Sequence, residues 1–299
     1  MVLDKARALS AVLFALTLAA CSHSPGETAR SQQSGSLVVV VTTSTLGALV
    51  QAVGDDLISV HTLVPIGSSP ETYEPTPRDL IELEHASLVV ENGAGLEAWL
   101  DKLIKSSATN ARILVLSNIM SPQLRAINPH FWLDPNYCEL YVAQIARALS
   151  QIDPQSATRY RANAAAEIKR LSDLDNWIRK RIATIPPNRR TMITFHDAWY
   201  YFDRRYGIRD VGAIEPSPGR EPSAADLSAL VATARANNVR AIFAEPEFSP
   251  KLAKTLADGA GIKTVTDLYD DSLGQAPDLR TYEGMMRHDV DTIVQALNS

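Results

Sequence analysis

Two histidines beside short hydrophobic segments are the residues of this chain best suited to bind a metal ion. His130 lies in the segment NPHFWLDP at residues 128–135, and His196 lies in ITFHDAW at residues 193–199. Neutral imidazole is the commonest protein ligand for transition metals, and ligands collect at the carboxyl ends of the strands in α/β sheets. Because the two histidines lie in different halves of the chain, the sequence predicts a metal ion held between two lobes.

Three carboxylates could contribute to the same site, and each also has a purely structural interpretation. Asp271 follows a predicted strand, where an ordinary turn or N-cap residue is also common. Glu71 lies in a proline-rich loop, SPETYEPTP, where a solvated carboxylate is the simpler expectation. Glu245 follows another predicted strand, where it either orients a histidine N–H from behind the metal or caps the neighbouring helix.

The elements that must position these residues alternate between short β-branched strands and helices. In the first half of the chain we predict strands at residues 37–41, 58–64, 87–90 and 113–116, with helices at 45–53, 78–86, 96–105 and 135–151. This rhythm is typical of a largely parallel sheet with helices on its faces.

The rhythm stops after Pro154, where apolar residues recur at helical spacing without glycine or proline as far as residue 183. A helix of about 30 residues would be about 45 Å long, enough to run the length of two lobes. Strand and helix patterns then resume, with strands at 191–194, 209–213, 241–244 and 264–268 and helices at 197–206, 224–237, 250–261 and 279–297.

We therefore predict an α/β fold of two pseudo-symmetric lobes with mainly parallel sheets, joined by one long backbone helix. The N-terminal lobe is placed at residues 37–152, the linking helix at 153–185 and the C-terminal lobe at 186–299. A helical joint of this kind would limit hinge motion compared with a connection by flexible strands.

The first 36 residues have the pattern of a targeting segment and a tether. Lys5 and Arg7 precede an apolar run at residues 8–20 that is too short to cross a bilayer as a helix. The run ends in LAAC, which resembles a bacterial lipobox, so residues 1–20 are predicted to be a lipoprotein signal peptide and Cys21 the lipidated residue. An ordinary secretory signal is the alternative. Residues 21–36 have the composition of a flexible tether. The mature protein is expected to be exported and anchored by its lipid, in the periplasm or on the outer face of the cytoplasmic membrane.

The composition of the chain argues against some classes of function. The formal charge is −5 and Lys and Arg form no long cluster, so nucleic-acid binding has no electrostatic support. After lipidation only Cys138 is left, so no intramolecular disulfide is expected, and its neighbours predict a buried thiol in a helix. His61, His85 and His288 lie in a predicted strand and two predicted helices, where packing or solvent-facing roles are expected.

Five local motifs together resemble the substrate-binding lipoproteins of ABC importers for zinc and manganese, the cluster A-I metal-binding family. They are TSTL at 43–46, YEPTP at 73–77, PHFWLDP at 129–135, FHDA at 195–198 and AEPEFS at 244–249. The resemblance covers essentially the whole mature chain. It implies a monomer that captures one divalent metal ion, Mn or Zn with Fe as a further candidate, and delivers it to an ABC transporter permease.

The resemblance also implies four metal ligands, which are Glu71, His130, His196 and Asp271. The family usually has PHTYEPTP where this chain has PETYEPTP, so Glu71 stands where a histidine is expected. Zinc tolerates nitrogen and oxygen ligands in a tetrahedral site, whereas oxygen-rich sites favour manganese, with ferrous iron between them. This donor set leans only slightly towards manganese or iron.

Other segments keep the choice of metal open. Glu215-Pro216 and the segment REPS at 220–223 are more similar to zinc-binding members, although the His-rich loop of many zinc members is absent. A degenerate site of weak affinity is a third interpretation of the Glu71 substitution.

Two other classes of function stay open on the sequence alone. A metal-dependent hydrolase could use the same ligands with Glu245 as base, but the chain has neither a His-Glu-x-x-His helix nor a nucleophile elbow. An adhesin-like lipoprotein that has lost metal binding is the other class. We expect a binding protein and not an enzyme.

Overall fold

Within the part of the chain that the structure describes, eight strands form two parallel sheets of four strands each. The computed structural model describes residues 36–216 and 219–299. The predicted signal peptide, Cys21 and nearly all of the predicted tether lie outside these residues. Within them, no helix is both long and apolar enough to cross a membrane.

The two sheets have the same strand order, which makes the two lobes pseudo-symmetric. The first sheet has the order β2-β1-β3-β4 and the second has β6-β5-β7-β8. The strands are β1 (Leu37–Val41), β2 (Ile58–Thr62), β3 (Leu88–Glu91), β4 (Arg112–Val115), β5 (Thr191–His196), β6 (Arg209–Glu215), β7 (Ala241–Phe243) and β8 (Lys263–Val265). In each sheet the order reverses beside the first strand, between β1 and β3 or between β5 and β7. The carboxyl ends of the strands at such a switch point form a crevice that suits ligand binding.

Helices cover both faces of each sheet. They are α1 (Ser44–Gly54), α2 (Pro77–His85), α3 (Leu100–Ser106), α4 (Pro122–Arg125), α5 (Pro135–Ile152), α6 (Ala157–Ile182), α7 (Tyr200–Tyr206), α8 (Ala224–Ala236), α9 (Pro250–Ala260) and α10 (Tyr282–Asn298). Side-chain caps and proline fix several starts: Asp134 accepts from the Asn136 N–H ahead of Pro135, and Ser223 and Asp226 form a capping box.

The long helix α6 lies between the lobes, as the sequence predicts. A single hydrophobic cluster runs from Val39 in β1 through Leu171 and Ile178 of α6 to Leu297 in α10. Two smaller clusters fill the outer faces of the two sheets, beneath α2 and α3 in one lobe and beneath α8 and α9 in the other. The main core is therefore shared by both lobes and the helix that joins them.

The order and type of the predicted elements are confirmed, while several predicted boundaries are wrong. The helix predicted at 96–105 begins only at Leu100, because the Glu97 carboxylate turns inward to accept the N–H groups of Asn92 and Gly93. The helix predicted at 197–206 begins at Tyr200. The predicted bounds place His196 between a strand and a helix. In the structure it is the last residue of β5, paired with Glu215. Cys138 is buried in α5, as predicted.

Candidate metal centre

Three of the four residues that the resemblance implies as metal ligands bring donor atoms within 4.8 Å of one another; they are Glu71, His130 and His196. The fourth, Asp271, lies close to both histidines. The Nε2 atoms of His130 and His196 are 3.3 Å apart. An Asp271 oxygen lies 3.4 Å from Nε2 of His130 and 3.9 Å from Nε2 of His196. A Glu71 oxygen lies 3.7 Å from Nε2 of His130. Each lobe thus contributes one nitrogen donor and one carboxylate.

The donors at this point have few other partners. Neither carboxylate oxygen of Asp271 makes a hydrogen bond to any part of the chain that the structure describes, although both are buried. Buried carboxylate oxygens without partners are costly and rare in native structures. Two ring nitrogens that face each other beside such a carboxylate provide lone pairs converging on one small volume. A divalent cation fits this arrangement.

Solvent reaches the donors from one side. His130, His196 and Asp271 are each 1% exposed, whereas 21% of the Glu71 side chain is exposed. Glu71 lies in the loop between β2 and α2, so it forms the outer wall of the site. Space this enclosed suits an ion better than an ester or a peptide.

His130 is oriented by Asn128, a residue that sequence analysis missed. The Asn128 side-chain oxygen lies 2.8 Å from Nδ1 of His130 and also accepts its backbone N–H at 2.9 Å. An N–H on Nδ1 leaves the lone pair on Nε2 free for a metal. The Asn128 amide also donates to the carbonyl oxygen of Asp197 across the lobes. Its position two residues before His130 was the available signal.

A residue at the carboxyl end of β3, beside the switch point of the first sheet, also holds the loop of His130. Asn92, which follows β3, donates from its side chain to the Pro129 carbonyl oxygen at 2.9 Å. Tyr141 of α5 donates to the Asn92 side-chain oxygen at 2.8 Å. The carboxyl end of β3 therefore positions His130 through a hydrogen-bonded chain rather than by carrying a ligand itself.

The other ring nitrogen of His196 faces two buried carboxyl groups. Its Nδ1 atom lies 3.3 Å from Glu245 and 3.6 Å from Asp270. Both side chains are fully buried. The neighbouring helix α9 is capped by Ser249. This placement supports the interpretation in which Glu245 orients His196. Asp270 is not among the carboxylates that the sequence analysis singles out, and its adjacency to Asp271 is the signal that could have found it.

The charged groups of the site shift one another's pKa values. Burial alone would lower the pKa of His196, but Glu245, Asp271 and Glu71 raise it to about 9. Burial would raise the pKa of Asp271, yet His130 and His196 hold it below its ordinary value. Burial raises the pKa of Glu71 more than His130 lowers it. At neutral pH, His196 therefore carries a proton that a bound cation would displace.

The other histidines among the described residues lie away from this centre. His61 contacts Glu82, His85 is exposed on α2, and His288 approaches the Asp267 carbonyl oxygen. These placements agree with the packing and solvent-facing roles expected for them. The predicted lipidation site, Cys21, lies outside the described residues.

Comparison with known proteins places the chain in a family. The model of the family described as "Zinc-uptake complex component A periplasmic" matches residues 39–296. The manganese-binding lipoprotein MntA of Halalkalibacterium halodurans is 31% identical over 293 residues, which cover 97% of this chain and 98% of the relative. The iron-binding protein YfeA of Yersinia pestis is 28% identical over 93% of this chain and 90% of its own length.

Solved structures agree with this assignment. The periplasmic zinc-binding protein TroA from Treponema pallidum superposes with a TM-score of 0.82 at 27% identity, covering 88% of this chain and 99% of that protein. A manganese-bound periplasmic metal-binding protein from Candidatus Liberibacter asiaticus gives a TM-score of 0.78 at 25% identity, over 87% of this chain and 99% of that one. The fold, the shared motifs and the extent of these matches show that the chain belongs to the zinc-uptake component A family of metal-binding substrate-binding proteins of ABC transporters.

Proposed function

We propose that this protein captures one divalent transition-metal ion between its lobes and delivers it to an ABC transporter permease. The observation that carries the proposal is the convergence of Glu71, His130, His196 and Asp271, with both Asp271 oxygens lacking partners among the described residues. The ion is the cargo, bound by two nitrogen and two carboxylate ligands. No catalytic role is assigned to any of these residues.

The donor set ranks manganese and ferrous iron above zinc as the cargo. Two carboxylates can supply up to four oxygen atoms, and oxygen-rich sites favour harder ions. Zinc remains within the chemistry of the site because it accepts nitrogen and oxygen ligands. Relatives named for manganese and for iron, and a neighbour named for zinc, support this range of cargo.

The remaining sequence predictions belong to the same proposal. The lobes would occupy residues 37–152 and 186–299, with the linking helix at 153–185, and the protein would act as a monomer. Cys21 would carry the lipid after removal of residues 1–20, which would keep the protein at the outer face of the cytoplasmic membrane or in the periplasm. Relatives described as lipoproteins support the anchor.

Metal content tests the proposal directly. Metal-free protein dialysed against Mn²⁺, Zn²⁺ or, without oxygen, Fe²⁺ is expected to retain one ion per chain by elemental analysis and to unfold at a higher temperature. Cells that lack the protein are expected to accumulate less of that metal. A chain that retains none of the three ions would instead support the degenerate lipoprotein, and hydrolysis of esters or peptides by the loaded protein would support an enzyme.

Metal affinity is expected to rise with pH. The pKa of His196 is raised to about 9 in the metal-free site, so at neutral pH this histidine must lose a proton before Nε2 can bind the ion. Below that pKa the apparent affinity should fall about tenfold per pH unit, and about one proton should be released per ion. Chelator competition across neutral pH, with calorimetry in buffers of different ionisation enthalpy, measures both quantities. An affinity that is unchanged or higher in acid would contradict this assignment.

A further inference from the structure

The loop that carries Glu71 is attached to both lobes. Directly before Glu71, the Trp99 ring N–H of the first lobe donates to the Pro70 carbonyl oxygen at 2.7 Å. Three residues earlier, the backbone N–H of Gly67 donates to the Ser272 hydroxyl oxygen at 3.0 Å, a contact between residues 205 positions apart. The few residues between these two bonds therefore span from the second lobe to the first.

Ser272 is held in the orientation that accepts this bond. It is 2% exposed and directly follows Asp271. Its hydroxyl group lies 2.5 Å from a carboxylate oxygen of Glu247, to which it donates its proton. The oxygen lone pairs are then free for the Gly67 N–H. A chain of this kind, in which each bond polarises the next, is stronger than either bond alone.

The solvent exposure of the four proposed ligands indicates what this attachment of the loop could control. Three of them are 1% exposed, whereas 21% of the Glu71 side chain is exposed, so Glu71 is the proposed ligand that meets solvent. The Gly67–Ser272 bond holds the segment that leads into Glu71 against the second lobe, so displacement of that segment breaks this bond.

We propose that Ser272, oriented by Glu247, is a positioning residue that latches the Glu71 loop across the lobes and sets the rate at which the metal leaves. Ser272 acts through Glu71 and does not bind the ion. The inference rests on the proposed function. It separates the residues that hold the ion from the residues that control its release.

The test follows metal release from Mn²⁺-loaded protein after mixing with excess chelator. Ser272→Ala removes the bond to Gly67 together with the bond to Glu247, and loss of the bond across the lobes is expected to speed release about fivefold. Glu247→Gln should act in the same direction by a smaller factor. Ser228→Ala, at an exposed position on α8, is the matched control and should leave release unchanged.

A double-mutant cycle shows whether Ser272 acts through Glu71. In a Glu71→Gln background, Ser272→Ala should no longer speed release, because the ligand on the latched loop is already weakened. Hydrogen exchange of the loop peptide in metal-free protein should also be faster in Ser272→Ala. Equal acceleration in both backgrounds, or unchanged release and exchange, would overturn the latch. Failure of the wild-type protein to bind any ion would instead overturn the proposed function.

Discussion

Replacement of His196 by alanine is expected to reduce metal affinity by at least about a hundredfold. A site with four protein ligands that binds zinc with about 10–16 kcal/mol gains roughly 3 kcal/mol per ligand, which corresponds to about two powers of ten. His196 contributes one of two nitrogen donors, and its Nε2 atom lies within 4 Å of both His130 and Asp271. Titration of metal-free protein with Mn²⁺ and with Zn²⁺ measures the loss.

The matched control removes a histidine that lies outside the site. His85 is exposed on α2, and His85→Ala should bind each ion as tightly as the wild-type protein. The rise in unfolding temperature caused by metal should persist in His85→Ala and disappear in His196→Ala. Retention of one ion per chain with unchanged affinity in His196→Ala would exclude His196 as a ligand.

Replacement of Glu71 by histidine is expected to shift metal preference towards zinc. The change exchanges a carboxylate for an imidazole at the outer wall of the site and produces a set of three nitrogens and one carboxylate. Such a set suits zinc better and manganese less well. We expect the ratio of zinc to manganese affinity to increase by about tenfold to a hundredfold, on the scale that changes around a metal site produce.

The control for this experiment lies three residues further along the same loop. Glu74 is exposed, and Glu74→His adds the same side chain to the surface without reaching the centre. Its affinity ratio should equal that of the wild-type protein, measured by competition between the two ions. If Glu71→His leaves the ratio unchanged, Glu71 is not part of the coordination sphere.

The positions of the proposed ligands could be predicted because they follow from local patterns. His196 ends a hydrophobic strand, and parallel strands end at the same edge of a sheet, so its place near the crevice follows from the chain order. His130 and Glu71 lie in loops whose proline content excludes helix or strand. The convergence of all four, however, was inferred through the family resemblance, since spacing in the sequence does not fix distances between lobes.

The residues that orient those ligands could not be predicted in the same way. Asn128, Asp270 and Ser272 matter through contacts with parts of the chain that are distant in sequence, and each belongs to a type that is common in turns. Boundary errors have a similar cause. The late start of α7 follows from strand pairing by His196 and from the contact between Asn128 and the Asp197 backbone, which local propensity does not contain.

The core that α6 shares with both sheets limits how the empty protein can differ from the loaded one. The helices α1, α5, α6 and α10 bury apolar side chains against one another. Rotating the two lobes apart would expose these side chains to water, at a cost of roughly 25 cal/mol for each Å² of apolar surface. A wide opening of the two lobes would therefore cost much free energy, whereas displacement of the short loop that carries Glu71 would not. A transporter that must distinguish the metal-loaded protein from the metal-free protein would then recognise the shape and charge of the surface around Glu71. The angle between the two lobes would not carry this information.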